Sequence, residues 1–243
     1  MGRSGRLRAS HNTVVDTIAG WVVGGRYSSG ASLPIESAIC AELNASRTVV
    51  REALKTLVAK GMVRIAPRTG TQVRPPDEWS LLDPTVVRWR LQRTLTPDFI
   101  VDLVEMRLLI EPPAAALAAH KATASDIAAI REGYERMEEA VEGRDSYIEA
   151  DLMFHRAILK AAHNQFLTQL DPVIGAMLRL SFELSVTSAE TARASLPNHA
   201  KLLHAIASGN AGLAQRHTEK IISEAQADIE RSLTKGKRQK VRA

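Results

Sequence analysis

The chain has 243 residues, 45% of them hydrophobic, and its single cysteine is Cys40. This composition is typical of a globular protein and excludes an intrinsically disordered chain, while a lone cysteine excludes a disulfide scaffold and a multi-cysteine zinc finger. The net charge is +5, yet the first 75 residues carry 11 basic and 4 acidic side chains, and residues 76–234 carry 16 basic and 23 acidic ones. We therefore expect the first segment to bind a polyanion and the acidic remainder to have another role.

The length allows one large domain or two small ones. No apolar run approaches the length of a membrane span, and Met1–Ser10 lacks the apolar stretch of a secretory signal. We therefore expect a cytoplasmic protein of two domains that has no membrane partner.

Residues 1–75 mix helical and strand patterns and predict a winged helix-turn-helix. The expected helices and strands cover residues 14–22, 35–43, 47–60, 62–65 and 71–73. Ser46 is suited to cap the third helix by accepting a backbone N–H, and Gly61 is suited to end it in the left-handed conformation. The two strands flank the turn Ala66–Gly70, so a two-stranded hairpin should follow the three helices.

The third predicted helix separates an apolar stripe from a basic face. The stripe consists of Val50, Ala53, Leu54, Leu57 and Val58. The opposite side, called the basic face below, carries Arg47, Thr48, Arg51 and Lys55. Guanidinium groups can bind guanine edges or phosphates through two hydrogen bonds, and Thr can donate to a phosphate oxygen. A solvated helix face is the alternative, but the further arginines of the hairpin, Arg64 and Arg68, favour double-stranded DNA as the partner.

The remainder is predicted to be helical, which makes the chain mainly α. Residues 76–96 are interpreted as a linker with a short helix over 85–92, and residues 235–243 as a disordered basic tail. Between them, residues 97–234 show only helical periodicity and predict an all-α antiparallel helical bundle. Its expected helices cover about 97–120, 123–141, 146–164, 166–186, 197–208 and 211–233, the first being kinked or interrupted at Pro112-Pro113.

Two patterns in the helical part could bind ligands. Asp151 and His155 lie four residues apart on one helix, which places a carboxylate and an imidazole together as half of a divalent metal site. A surface hydrogen bond is the alternative for this pair, and His199 and His217 could join it only if the bundle brings them there. Arg107 lies in an otherwise apolar helix, so it must be paired if buried, either with a ligand carboxylate or with an acid such as Glu105 or Glu111.

The basic face belongs to a more specific motif. The stretch Ser46-Arg47-Thr48-Val49-Val50-Arg51-Glu52-Ala53-Leu54, with Leu33-Pro34-Ile35-Glu36 before it and Gly70-Thr71-Gln72-Val73 after it, resembles the GntR family of bacterial transcription regulators. This resemblance implies that Arg47, Thr48 and Arg51 contact operator DNA and that the wing tip, with Arg68 and Gly70, enters the minor groove. Lys55, which lies on the same basic face, is expected to be a further DNA contact. Ser37 and Arg68 depart from the family pattern, at positions where many members have Arg and Gly.

The helical part resembles the FCD domain of the FadR-like subgroup of this family. Val104–Pro112, Asp151–His155 and Asn198–Leu203 carry the resemblance. It implies a metal site of one Asp and three His, of which Asp151, His155 and His199 match three. The fourth position falls on Ile221, and His217, one turn earlier, could substitute. Zinc is the expected ion because two or more ligands are nitrogens, although manganese and nickel also suit such sites.

The subgroup resemblance also implies a small organic acid as effector, with Arg107 as its anchor. The segments Trp79–Asp83 and Val86–Trp89 resemble members that control galactonate catabolism, so a sugar acid is expected, galactonate first. We expect a homodimer that represses from a palindromic operator.

Two other classes of protein are alternatives to a transcription regulator. One is a metal-dependent enzyme that uses Asp151, His155 and His199, but the sequence has no nucleophile elbow, His-Glu-x-x-His motif or phosphate-binding glycine loop. The other is a non-specific nucleoid protein, which would bind random and promoter DNA equally. A transcription regulator accounts for more of the chain than either.

Overall fold

A computed structural model of the chain describes residues 8–91, 96–186 and 188–240 and divides into two compact units between Leu95 and Thr96. The mainly α prediction is confirmed. The first unit contains α1 His11–Val23, α2 Glu36–Leu43, α3 Arg47–Ala59, β1 Val63–Ala66, β2 Gly70–Val73, a 3-10 helix Pro76–Glu78 and α4 Pro84–Leu91. The second contains α5 Pro97–Lys121, α6 Ala124–Val141, α7 Tyr147–Ala161, α8 Gln165–Ser185, α9 Ala189–Ala207 and α10 Ala211–Lys240.

The first unit has the predicted winged helix-turn-helix. The Ser46 side chain accepts the N–H of Val49 and caps α3. Gly61 then takes a φ of +72°, and a Cβ there would lie 2.6 Å from the carbonyl oxygen of Glu78, so only glycine fits. Antiparallel β1 and β2 form the hairpin.

The segment predicted as a linker, residues 76–96, contains the predicted short helix as α4, and its described part up to Leu91 packs on the first unit. Trp79, Val86 and Trp89 are buried in the core that α1 and α3 form. Trp89 donates its indole N–H to Asp16 at 2.7 Å, and Lys60 pairs with Asp83 at 2.5 Å. The two tryptophans therefore anchor this segment to the first unit.

The second unit is helical throughout the residues described, and three of its predicted boundaries need correction. Helix α5 runs through Pro112-Pro113 without interruption. Helix α9 begins at Ala189 rather than 197, because Ser188 and Thr191 form a capping box and Pro197 lies inside the helix. Helix α10 continues to Lys240, so much of the predicted disordered tail has a helical backbone.

Close packing of α6 on α7 fixes the position of the site described below. A Cβ at Gly133 would lie 2.7 Å from the Cα of Phe154, so the two helices approach as closely as backbones allow. Phe154 is fully buried and presents its ring to the rings of His155 and His199. Among the described residues, no helix has the length and apolar character needed to cross a membrane.

Candidate DNA-binding surface and metal site

Helix α3 presents the basic face to solvent. Its opposite side is buried in the first unit through Val50, Ala53, Leu54 and Leu57, as the amphipathic pattern predicts, whereas Val58, also predicted in the apolar stripe, is exposed. The four side chains of the basic face are exposed. They therefore form a continuous polar surface that a nucleic acid could reach.

An acidic side chain of α2 organises this surface. Glu36 accepts hydrogen bonds from Nε and Nη2 of Arg51 at 3.5 and 3.2 Å and raises the pKa of Arg51. Glu52 pairs with Lys55 at 2.9 Å. The sequence analysis missed the role of Glu36, since the contact joins two helices and no periodicity within one helix reveals it.

The wing carries a strained arginine. Arg68 has a φ of +68° and Gly70 a φ of +78°. The left-handed conformation costs a residue with a Cβ about 1–2 kcal/mol, whereas glycine adopts it without that cost. The side chain of Arg68 is exposed at the tip of the hairpin, so the strain places a cation at its outermost point.

In the second unit, α7 and α9 bring together three ligand atoms, called the buried cluster below. Asp151 Oδ1 lies 3.4 Å from His155 Nε2 and 3.3 Å from His199 Nε2. The two Nε2 atoms are 3.4 Å apart. All three residues are at least 95% buried, so the predicted Asp–His half-site lies inside the bundle rather than on its surface.

The hydrogen bonds around the buried cluster orient both imidazoles. His155 Nδ1 donates to Glu111 Oε2 at 3.0 Å, and His199 Nδ1 donates to the carbonyl oxygen of Ser195 at 2.9 Å. These acceptors favour a proton on Nδ1 of each ring, which leaves each Nε2 free to bind a metal ion beside Asp151. Asp151 Oδ1 has no hydrogen-bond partner in the part of the chain that the structure describes.

This arrangement fits a divalent cation. Three buried lone-pair atoms in mutual contact repel one another unless positive charge lies between them. In a tetrahedral site with bonds of about 2.0–2.2 Å, neighbouring ligand atoms lie about 3.3–3.6 Å apart, which is the spacing observed. The residues could therefore hold zinc, with coordination positions left for a further ligand.

The fourth proposed ligand, His217, is not part of the buried cluster. It is half-buried on α10, where burial and the nearby charges of Lys201, Arg216 and Lys220 lower its pKa. Ile221, one turn further along α10, lines the pocket beside Asp151 and His199. The position matched to the family's fourth ligand thus faces the site, but with an apolar side chain.

Arg107 is paired within the protein, which was one of the two alternatives. Its Nε donates to Glu111 Oε1 at 2.6 Å and its Nη1 to Ser181 Oγ at 2.6 Å. Burial alone would raise the pKa of Glu111, but the charge of Arg107 and the hydrogen bond from His155 lower it to about 2. Glu111 is therefore an anion that links Arg107 to His155, and the predicted effector anchor contacts the buried cluster through it.

The charge of Asp151 also acts on His199. Burial would lower the pKa of His199, but the Asp151 carboxylate and the bond to Ser195 raise it above the ordinary value.

A pocket of about 350 Å³ opens onto the buried cluster. Side chains of α8, α9 and α10 form its walls, and Asp151 and His199 lie at one side of it. A small molecule in this pocket would therefore reach Asp151 and His199 without unfolding any helix.

Comparison with known proteins decides the class. Residues 11–73 match the bacterial regulatory proteins of the gntR family, and residues 102–224 match the FCD domain. The chain belongs to the GntR family. It is thus a transcription regulator with a DNA-binding domain and an effector domain, and not an enzyme.

Relatives of this GntR regulator include characterised proteins. It is 35% identical to the galactonate operon transcriptional repressor of Escherichia coli over 170 residues, which are 70% of this chain and 74% of the relative. It is 32% identical to the uncharacterised regulator YieP of the same organism, over 72% of this chain and 76% of that one. The structure of Lar, which controls expression of the Listeria monocytogenes agr system, gives a TM-score of 0.68 at 18% identity, over 93% of this chain and 99% of that chain. The last comparison supports the fold alone.

Proposed function

We propose that this regulator binds a palindromic operator as a homodimer and is released from it by a small sugar acid, galactonate first. The acid binds in the pocket beside a divalent metal, zinc first, that Asp151, His155 and His199 hold. The observation that carries the proposal is the convergence of three buried potential metal-ligand atoms on a pocket in a GntR regulator.

The DNA contacts are assigned to Arg47, Thr48, Arg51 and Lys55 on α3 and to the wing tip at Arg68 and Gly70. Support comes from the exposure of these residues on a helix whose other side is buried. Arg51 offers two donors in one plane, which suits guanine, and Arg68 offers charge to a groove.

The buried cluster has a separate task. When bound, the metal supplies a positive charge and open coordination positions that suit a carboxylate. Glu111 holds the His155 ring in the tautomer that binds the ion, and Arg107 keeps Glu111 ionised. Arg107 is therefore a positioning residue, and its predicted direct contact with the effector is replaced by this indirect role.

A sugar acid is favoured by the similarity to the galactonate operon repressor. Effector binding shifts the protein towards an arrangement that binds the operator less well. A regulator that its effector releases from the operator acts as a repressor. We place it in the cytoplasm because its DNA partner is there.

A homodimer is supported by an apolar face on α5. Val101, Leu108 and Leu109 lie on one side of this helix, and all are exposed, Leu109 to 74%. A soluble protein has reason to cover such side chains, and a two-fold pair of DNA-binding units would match two half-sites about one turn of DNA apart.

The test is an anisotropy titration of the chain's own promoter DNA with zinc-loaded protein. We expect specific binding that galactonate weakens, and a parallel titration with random DNA that is weaker at the same salt concentration. Equal affinity for both DNAs would reject operator recognition. Release by another organic acid but not by galactonate would keep the regulator and replace the effector.

A further inference from the structure

The wall of the pocket that α10 forms is rich in oxygen acceptors. Ile221, Glu224, Asp228 and Arg231 follow one another at three or four residues, so they share the face of α10 that lines the pocket. Glu190 of α9 adds another carboxylate. Asp151, which is 4% exposed and has an unpartnered Oδ1, lines the same space.

Two of the carboxylates on this wall, those of Glu224 and Asp228, already have partners. Glu224 lies 3.7 Å from Lys220 and accepts a hydrogen bond from Asn198 Nδ2 at 2.6 Å. Asp228 forms an ion pair with Arg231. Each carboxylate has about four lone-pair sites, so both retain acceptor capacity after these contacts.

Compensated acceptors favour neutral donors over a second cation. An ammonium group brought to Glu224 or Asp228 would also face the positive charges of Lys220 or Arg231. A hydroxyl group can donate to the free lone pairs and carries no charge to be repelled. The wall therefore suits hydroxyl groups more than amines.

The dimensions of the wall suit a chain of several carbons. Ile221 and Asp228 are seven residues apart, or about 10 Å along the helix axis. A pocket of about 350 Å³ lies at the small end of the ligand sites of about 300–1,000 Å³ that proteins commonly form. A two- or three-carbon acid held at the buried cluster would leave the far acceptor without a donor.

We propose that Glu224 and Asp228 are specificity-determining residues that accept hydrogen bonds from the hydroxyl groups of a polyhydroxylated monocarboxylate. They select such an acid over an unsubstituted acid of similar length. This inference rests on the proposed function, because it assumes that the acid binds with its carboxylate at the buried cluster.

The test is calorimetric titration of the full-length zinc-loaded protein with three probes. Galactonate carries hydroxyl groups, hexanoate has a similar chain without them, and 6-amino-6-deoxygalactonate replaces the hydroxyl farthest from the carboxylate by an ammonium. We expect the wild type to bind galactonate most tightly. Glu224→Gln and Asp228→Asn should each weaken galactonate about tenfold or more and leave hexanoate unchanged, since each replaces one carboxylate oxygen by an NH2 group that cannot accept from a hydroxyl and removes the charge that strengthens the remaining hydrogen bond.

The control is Glu219→Gln, a matched change on α10 outside the pocket lining, which should alter neither affinity. Thermal melts and zinc content establish that each variant is folded and loaded. An unchanged ratio of galactonate to hexanoate affinity in both pocket variants would overturn the inference, as would hexanoate binding the wild type as tightly as galactonate. Tightest binding of 6-amino-6-deoxygalactonate, lost in the variants, would reassign the wall to an amine. The DNA anisotropy titration described above tests the proposed function independently of these affinity ratios.

Discussion

The basic face of α3 and the buried cluster of the second unit carry charged groups in opposite ways. Arg51 and Glu36 form an ion pair in solvent, where such pairs contribute little and are readily exchanged for new partners. Arg107, Glu111 and His155 form a chain of contacts with almost no exposed surface, where the loss of one partner leaves an uncompensated buried group. The exposed side chains can therefore exchange their ion-pair partners for DNA, whereas the buried side chains must keep one geometry.

The largest effect is expected from Glu111→Gln. The change removes the anion between Arg107 and His155 and should lower the free energy of unfolding by about 3–5 kcal/mol. Zinc affinity should also fall about 10- to 100-fold, because the single amide oxygen of Gln cannot accept from both Arg107 and the His155 ring as the two carboxylate oxygens do. Urea unfolding and a competitive zinc titration measure the two effects.

Glu105→Gln is the control on the exposed side of the same helix and should leave both quantities nearly unchanged. Equal behaviour of the two variants would show that the buried contacts of Glu111 contribute no more than an exposed carboxylate on the same helix.

Arg51→Ala should weaken operator binding about ten- to hundredfold and leave the protein folded, since the side chain is exposed. The preference for the operator over random DNA should fall as well, because a contact to a base edge carries sequence information. Arg136→Ala, an exposed arginine of α6, should change neither quantity. Operator affinity equal to that of the wild type would remove Arg51 from the DNA-binding surface.

Arg68→Gly separates stability from function. Relief of the left-handed strain should raise the free energy of unfolding by up to about 1 kcal/mol, while loss of the cation weakens DNA binding severalfold. Arg64→Gly provides the contrast, because Arg64 lies in β1 and glycine there should destabilise the hairpin. If Arg68→Gly lowered the free energy of unfolding as well, the backbone at Arg68 would not be strained.

Glu36→Gln should have the smallest effect. It frees Arg51 and removes a negative charge from the surface that meets DNA, so affinity for random DNA should rise a fewfold and the preference for the operator should fall. Glu42→Gln, at the other end of α2, should leave that preference unchanged. Titrations with both DNAs at one salt concentration give the ratio, and a higher operator preference in Glu36→Gln would contradict a positioning role.

The two regions also differ in how far the sequence predicts them. The amphipathic pattern of α3 and the cap at Ser46 are local, so the helix, its basic face and the hairpin were predicted correctly. Asp151 and His155 share a helix turn and could be paired in advance. The position of His199 against them depends on how α7 and α9 pack, which no spacing reveals.

The predictions that failed have both local and non-local causes. Helix α9 was begun too late, because Pro197 was expected at its first turn rather than inside it. His217 was offered as a substitute for the fourth ligand that the family resemblance implies, but it lies outside the buried cluster, one turn from Ile221, which lines the pocket. The link from Arg107 through Glu111 to His155 requires contacts between α5 and α7, so it was visible only as one of several possible ion pairs.

The most direct test of the account is the coupling between metal and effector on one operator. Operator affinity would be measured for zinc-loaded and EDTA-stripped full-length protein, each with and without galactonate. The account predicts that galactonate weakens binding by the zinc-loaded protein and has little effect on the stripped protein. Release of the same size in both would contradict the claim that the buried cluster controls the basic face through a bound metal.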